Sequence, residues 1–267
     1  SSLRGTHGPA AVDGVAAGIP LAPDGTSMSA IRASGVSVRY GKFPAVRDAS
    51  LTIEQGEFVA LVGRSGSGKS TFAHALCGFL PCDGVVDRPA RIGMVFQTYA
   101  LFPFMTCRAN VSLGLHHLPK QARRLRAEKY LDMVGLRDYG SRYPWQLSGG
   151  QRQRVAIARA LAPEPSLVAM DEPFAAVDIL LRESLALWLA QLMALTKTSA
   201  LFISHSVEES VWLSDRVVLM QDGRITAEFD IEFARPRSES IKTDARFIQV
   251  CAQVRQAILE APTESVS

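Results

Sequence analysis

Three groups of residues in this chain have the types and spacing that chemistry requires. The first is "GRSGSGKST": Gly63, Arg64, Ser65, Gly66, Ser67, Gly68, Lys69, Ser70 and Thr71. It reads G-x-x-x-x-G-K-S, follows an apolar run and opens a helical pattern, which is the context of a P-loop. Backbone N–H groups of such a loop cradle phosphate. Lys69 would neutralise β and γ phosphates, and the Ser70 hydroxyl would ligate Mg²⁺. The second group is Asp171-Glu172, which ends the apolar run Leu167 to Met170. A carboxylate at the end of a buried parallel strand points into the crevice beside the P-loop. Asp171 is expected to hold Mg²⁺ through water, and Glu172 to polarise an attacking water. The third is "LSGGQRQRVAIARAL", Leu147 to Leu161. A glycine pair there precedes a basic-edged helix, a second start with free N–H groups and a positive dipole end. By itself the stretch has a second reading, a helix N-cap at Ser148.

Positioning these groups requires a particular set of elements. "EFVALVG", "SLVAMDE" and "SALFISH" are short apolar runs ending in polar residues, as buried parallel strands do. Helices are predicted at Lys69 to Phe79, Glu183 to Leu195 and Val207 to Leu213. This βα alternation implies a parallel sheet with helices on its faces. Ile31 to Tyr40 and Ala45 to Ile53 alternate loosely, as half-exposed strands. "RVVLMQDGRITAEF" reads as a hairpin turning at Asp222-Gly223. Between Gln97 and Leu161 helical patterns dominate, which marks an inserted helical subdomain. Thr243 to Glu260 is predicted to form a C-terminal helix.

Composition sets outer bounds. The chain has 267 residues, 47% hydrophobic and 21% charged, enough for a sizeable core. A net charge of +3 is too mild to argue for nucleic acid. Cys77, Cys82, Cys107 and Cys251 lack C-x-x-C spacing and read as free thiols. No run of eighteen apolar residues occurs, so the chain is not expected to span a membrane itself. The first 27 residues read as a flexible tail or an appended remnant rather than a signal peptide, with Met28 a candidate start. His116 and His117 are not expected to bind metal, because neighbours on a helix point apart. "KQARRLRAEK", Lys120 to Lys129, reads as a solvated helix face, Trp188 as core, and His74 as a packing residue.

P-loop, "LSGGQ" and "MDEP", in this order, resemble the ATP-binding subunit of ABC transporters over residues 31 to about 230. The resemblance implies an α/β fold: a P-loop NTPase (RecA-like) core with a parallel sheet, an N-terminal antiparallel β subdomain and an inserted helical subdomain. It divides the chain into a tail at 1–28, an ATP-binding domain at 29–235 with the helical subdomain at about 98–160, and a C-terminal helical extension at 236–267. It implies ATP and Mg²⁺ as ligands. Gln97 in "MVFQ" matches the glutamine that contacts Mg²⁺ and the hydrolytic water. His205 in "FISHS" matches the switch histidine on the γ-phosphate. Tyr40 lies where the family places an aromatic on adenine, and Asp178 in "PFAAVD" fits the D-loop. Ala175, Ala176 and Val177 depart from the usual Gly-Ala-Leu, and Ser206 stands where an Asp commonly follows the histidine. Both departures spare the residues with assigned roles.

The resemblance also explains the second helix start. In this family two copies pack head to tail, and each ATP lies between one copy's P-loop and Ser148, Gly149, Gly150 and Gln151 of the other. Further implied partners are transmembrane permease subunits and a substrate-binding protein, with no nucleic acid. The implied location is peripheral, on the cytoplasmic face of the inner membrane. The expected function is ATP hydrolysis that energises an importer, with loose similarity to the nitrate, sulfonate and taurine branch. The alternatives are an exporter or lipid-transport ATPase, and a soluble ABC ATPase acting on nucleic acid or the ribosome. Long coiled coils, zinc hooks or a second such domain would mark the last, and this sequence has none of them. Phe102 and Phe104 in "YALFPFMT" are expected either to tuck into the helical subdomain or to line a groove for a membrane-subunit helix.

Overall fold

The computed structural model describes residues 29–260 apart from Pro236. The expected tail at 1–28 and residues 261–267 lie outside the described residues. Two antiparallel strands, β1 (Ser29–Tyr40) and β2 (Phe43–Glu54), open the fold and join at a Tyr40–Phe43 pair. Three parallel strands carry the center: β3 (Phe58–Val62), β6 (Leu167–Asp171) and β7 (Ser199–Ile203). Every residue in these three is buried, which is why the sequence shows continuous apolar runs there.

Two short strands escape the sequence reading. β4 (Asp83–Asp87) pairs antiparallel with β1, and β5 (Ile92–Val95) pairs parallel with β6. Each has only four or five residues, too few for a periodic pattern to stand out. β8 (Arg216–Gln221) and β9 (Arg224–Asp230) form the expected hairpin, with Asp222 and Gly223 both at positive φ. The sheets are β2-β1-β4 and β5-β6-β7-β3-β8-β9. The first is antiparallel; the second is parallel except for β9.

The central sheet separates two cores. Phe58, Ala60 and Val62 of β3 face one, with Met170, Phe202 and Trp212. Val59 and Leu61 face the other, with Phe72, Leu201 and the inner face of β1 and β2. Helix α1 (Lys69–Leu76) lies on that second side. The expected helical insertion contains α2 (Cys107–Ser112), α3 (Lys120–Met133) and α4 (Gly149–Leu161). Helix α5 (Ile179–Thr196) starts four residues before its predicted start, and α6 (Val207–Leu213) matches its prediction. Helix α7 (Ala245–Glu260) closes the described chain. No helix among the described residues is long and apolar enough to cross a membrane. His116 and His117 sit in a turn rather than on a helix, with rings edge to face at 6.3 Å. The expectation that helix geometry would point them apart is therefore corrected.

Candidate functional site

The C-terminal ends of four adjacent parallel strands, β5-β6-β7-β3, converge on one crevice. β3 runs into the loop Gly63–Gly68, β6 into Asp171 and Glu172, β7 into His205, and β5 into Gln97. Such an edge is where open α/β sheets bind ligands.

The loop is shaped by close approach of backbones. A Cβ on Gly63 would stand 2.0 Å from the Met220 carbonyl oxygen, and one on Gly68 2.4 Å from that of Ala45. Only glycine fits either place, so the loop curls tightly into α1. Arg64, Ser65 and Gly66 face outward, Ser67 is buried, and Thr71 lies in the first turn of α1. Lys69 is 5% exposed. Its ammonium donates to the carbonyls of Gly63 (3.0 Å) and Arg64 (2.8 Å) and to Ser67 Oγ (3.3 Å). Burial lowers its pKa, against the charges of Glu172 and Asp171.

Ser70 Oγ donates to Asp171 Oδ1 at 2.9 Å. A hydroxyl and one carboxylate, next to a phosphate-type loop, form the oxygen donor set that suits Mg²⁺ shared with a substrate phosphate. Glu172 follows at φ 45°, a left-handed conformation rare for a side chain of its size, held by its N–H donating to Ile203 O at 3.0 Å. Its two carboxylate oxygens have separate partners. Gln97 Nε2 donates to Oε2 at 3.3 Å, and His205 Nε2 lies 2.5 Å from Oε1. The arrangement can orient a water and take its proton. His74 packs edge-on to Phe79, tilted toward Phe96, with Nε2 3.7 Å from Asp171 Oδ2.

The remaining predicted residues lie around this center. Tyr40 ends β1 and is 53% exposed. The Ala45 carbonyl packs on Gly68, so the Tyr40–Phe43 end of that hairpin stands beside the P-loop. Asp178 is exposed, and its carbonyl accepts from the N–H groups of Leu181 and Arg182. Ser148 caps α4 in a reciprocal box with Gln151: Ser148 N–H donates to Gln151 Oε1 (3.0 Å), and Gln151 N–H to Ser148 Oγ (3.3 Å). The capping reading of Ser148 thus holds within one chain. Gly149 follows at the helix start, and Gly150 is buried against Leu185.

The family profile described as "ABC transporter" matches residues 46–175. A dimeric MJ0796 cassette, in a post-hydrolysis state bound to ADP and Pi, superimposes with a TM-score of 0.66 and 30% identity, covering 76% of this chain and 100% of that one. This chain belongs to the ABC transporter ATP-binding family, a family of ATPases. The sulfate/thiosulfate import ATP-binding protein CysA of Brucella melitensis is 43% identical over 213 residues, covering 73% of this chain and 59% of that protein. Its Synechococcus elongatus counterpart is 43% identical over 209 residues, covering 73% and 61%. The chain thus spans about 60% of the length of these relatives. The ABC ATPase fold expected from the sequence is the fold found.

Three residues of this ABC cassette escaped the sequence reading. Phe43, 59% exposed beside Tyr40, offers a second aromatic face. Asn110, fully buried, accepts from Phe102 N–H and donates to the carbonyls of Phe102, Met105 and Thr106. Tyr99 donates its hydroxyl to Ala176 O. Of these only Phe43 carried a readable signal, an aromatic three residues after another across Gly41-Lys42.

Proposed function

We propose that this chain binds Mg-ATP and hydrolyses it, as one of two head-to-tail copies that drive a membrane importer for a small anionic solute. The observation that carries the reading is Glu172 held between Gln97 and His205, one residue beyond the Ser70–Asp171 pair.

In this mechanism Lys69 exchanges its carbonyl partners for oxygens of the β and γ phosphates. Ser70 and Asp171, with Gln97, would hold Mg²⁺, which would supply positive charge to the phosphate oxygens. Glu172 orients a water in line with the γ-phosphorus and accepts its proton as the new P–O bond forms. The bond to the β-phosphate oxygen breaks, giving ADP and phosphate. His205 donates toward the γ-phosphate and keeps the Glu172 carboxylate directed. Ser148, Gly149, Gly150 and Gln151 of a second copy complete the phosphate enclosure, so water is excluded only when the pair closes. The dimeric form of the MJ0796 cassette supports a reading in which two copies pair.

Permease subunits and a substrate-binding protein would complete the system, with this chain peripheral on the cytoplasmic face of the inner membrane and no nucleic acid involved. The relatives named for sulfate and thiosulfate import support an anionic oxyacid cargo. Nitrate, a sulfonate or taurine, the branch suggested by the sequence, remain within that chemical class.

The test pairs two variants. Glu172→Gln is expected to bind Mg-ATP and accumulate as a closed dimer with hydrolysis reduced by about 100-fold or more. Mixing Ser148→Arg with Lys69→Ala copies places both lesions in one site of the head-to-tail pair and leaves the other whole. Single-site ATP occlusion is expected in that mixture and in neither homodimer. Normal turnover by Glu172→Gln, or full activity of the Ser148→Arg homodimer, would defeat the proposal.

A further inference from the structure

His205 is half exposed, and the direction of its ring is set by its contact with Glu172 and by its own backbone. That backbone is pinned on both sides by a closed circuit of hydrogen bonds. Ser204 Oγ donates to Glu209 Oε2 (3.0 Å) and accepts from Ser206 N–H (3.0 Å). Ser206 Oγ accepts from Glu209 N–H (3.2 Å), and Ser206 O accepts from Ser210 Oγ (2.8 Å). An ordinary capping box would send the Glu209 carboxylate to Ser206 N–H. Here Ser204 occupies that N–H, and the carboxylate grips the residue before His205 instead. The serine that replaces the usual Asp after the histidine is thereby part of the circuit.

The second oxygen of Glu209 faces another element. Arg182 Nε lies 3.9 Å from Glu209 Oε1, an ion pair too long for a hydrogen bond. That Nε is buried and has no hydrogen-bond partner. Arg182 sits in the first turn of α5, and its N–H donates to Asp178 O at 3.1 Å. A shift of roughly 1 Å of α5 toward α6 would bring Nε into hydrogen-bond range of the carboxylate. The Glu209 side chain is only 14% exposed, and burial raises its pKa while Ser204 and Arg182 oppose that.

We propose that Glu209 is a positioning residue for His205, and that Arg182 couples it to the D-loop at Asp178. The inference rests on the ATPase reading given above. When the second copy moves the D-loop, α5 carries Arg182 onto Glu209, and the circuit through Ser204 and Ser206 sets His205 against Glu172. A ring displaced by about 1 Å would cost on the order of 100-fold in rate.

The test uses the full chain and measures kcat, KM, ATP affinity and melting temperature together. Glu209→Ala is expected to lower kcat about tenfold or more, with ATP affinity within twofold of the parent. Glu209→Gln keeps an oxygen for Ser204 and loses the charge for Arg182, so it should recover part of that loss. Arg182→Met should match Glu209→Gln, and the double variant should fall no further, because both act through one contact. A parental kcat in Glu209→Ala would overturn the proposal. So would strictly additive losses, or a kcat that falls only with the folded fraction. Glu172→Gln run alongside separates the two levels. If it is inactive while Glu209→Ala is normal, this inference alone fails. If it turns over normally, the ATPase reading fails.

Discussion

The Tyr99 hydroxyl donates to the Ala176 carbonyl at 3.0 Å, joining the segment after Gln97 to the D-loop. The same ring lies 5.5 Å from the Arg152 guanidinium of α4, and a Cβ on Gly149 would stand 3.3 Å from its oxygen. Three motifs far apart in sequence thus meet at one tyrosine. The backbone there is strained: Tyr99 and Ala100 both have positive φ, and Arg159 of α4 holds both of their carbonyls. Tyr99→Phe keeps the ring and removes the bond. It should loosen the D-loop locally by about 1 kcal/mol, seen as roughly fivefold faster amide exchange across residues 174–178. ATP affinity should not move. Unchanged exchange would show that the hydroxyl does not restrain the D-loop.

The segment between β9 and α7 is tied to α6 by the buried cation of Arg237. Arg237 is 3% exposed. Its guanidinium donates to Val211 O (3.0 Å), Trp212 O (2.8 Å) and Ser214 O (2.7 Å), the carbonyls that end α6. Burial lowers its pKa to about 10, so it keeps its charge at neutral pH and complements the negative end of the helix. Arg237→Met fills the space and leaves those carbonyls without a donor. Stability should fall by about 3 kcal/mol, read as a lower denaturant midpoint at unchanged slope. A midpoint like the parent's would mean that water replaces the guanidinium at no cost.

The legibility of this chain followed burial and backbone shape. β3, β6 and β7 could be read because both faces of each strand are covered, which forces an unbroken apolar run. The short strands β4 and β5 could not, since four or five residues give no period. The P-loop was legible because Gly63 and Gly68 answer to backbone crowding that no other residue tolerates. The pairing of Gln97 and His205 on one carboxylate was not, because it depends on strands adjacent in the sheet and distant in sequence. Tyr99 and Arg237 were hidden for a different reason: each binds main-chain carbonyls, which leave no mark on residue identity.

On the proposed reading, two exposed aromatic faces are available to adenine. Tyr40 and Phe43 are paired across the β1–β2 turn and are both more than half exposed. Tyr40→Ala should weaken ATP binding by about 1 kcal/mol through lost stacking, with melting temperature unchanged. Phe43→Ala serves as the comparison. If it weakens binding while Tyr40→Ala does not, the base rests on Phe43.

The proposed coupling to a membrane partner can be tested at Phe104. Phe104 is 73% exposed, so the expectation that it tucks into its own helical subdomain fails; Phe102, 43% exposed, meets it edge to face at 5.6 Å. The loop that presents them is held from beneath by Asn110, whose amide donates to the carbonyls of Phe102, Met105 and Thr106, each at 3.1 Å. A buried anchor of this kind fixes an exposed aromatic pair in place before any partner arrives, which lowers the ordering cost of docking. The pair lies five to seven residues after Gln97, so a helix seated on it would share a short rigid path with Glu172. Phe104→Ala should leave melting temperature and ATP affinity unchanged, and weaken co-purification with the permease by on the order of 2 kcal/mol. Transport should fall more than the isolated subunit's ATPase. Asn110→Ala should weaken the same assembly with Phe104 intact, because the aromatics then lose their fixed backbone. Normal transport in both variants would place the coupling surface elsewhere.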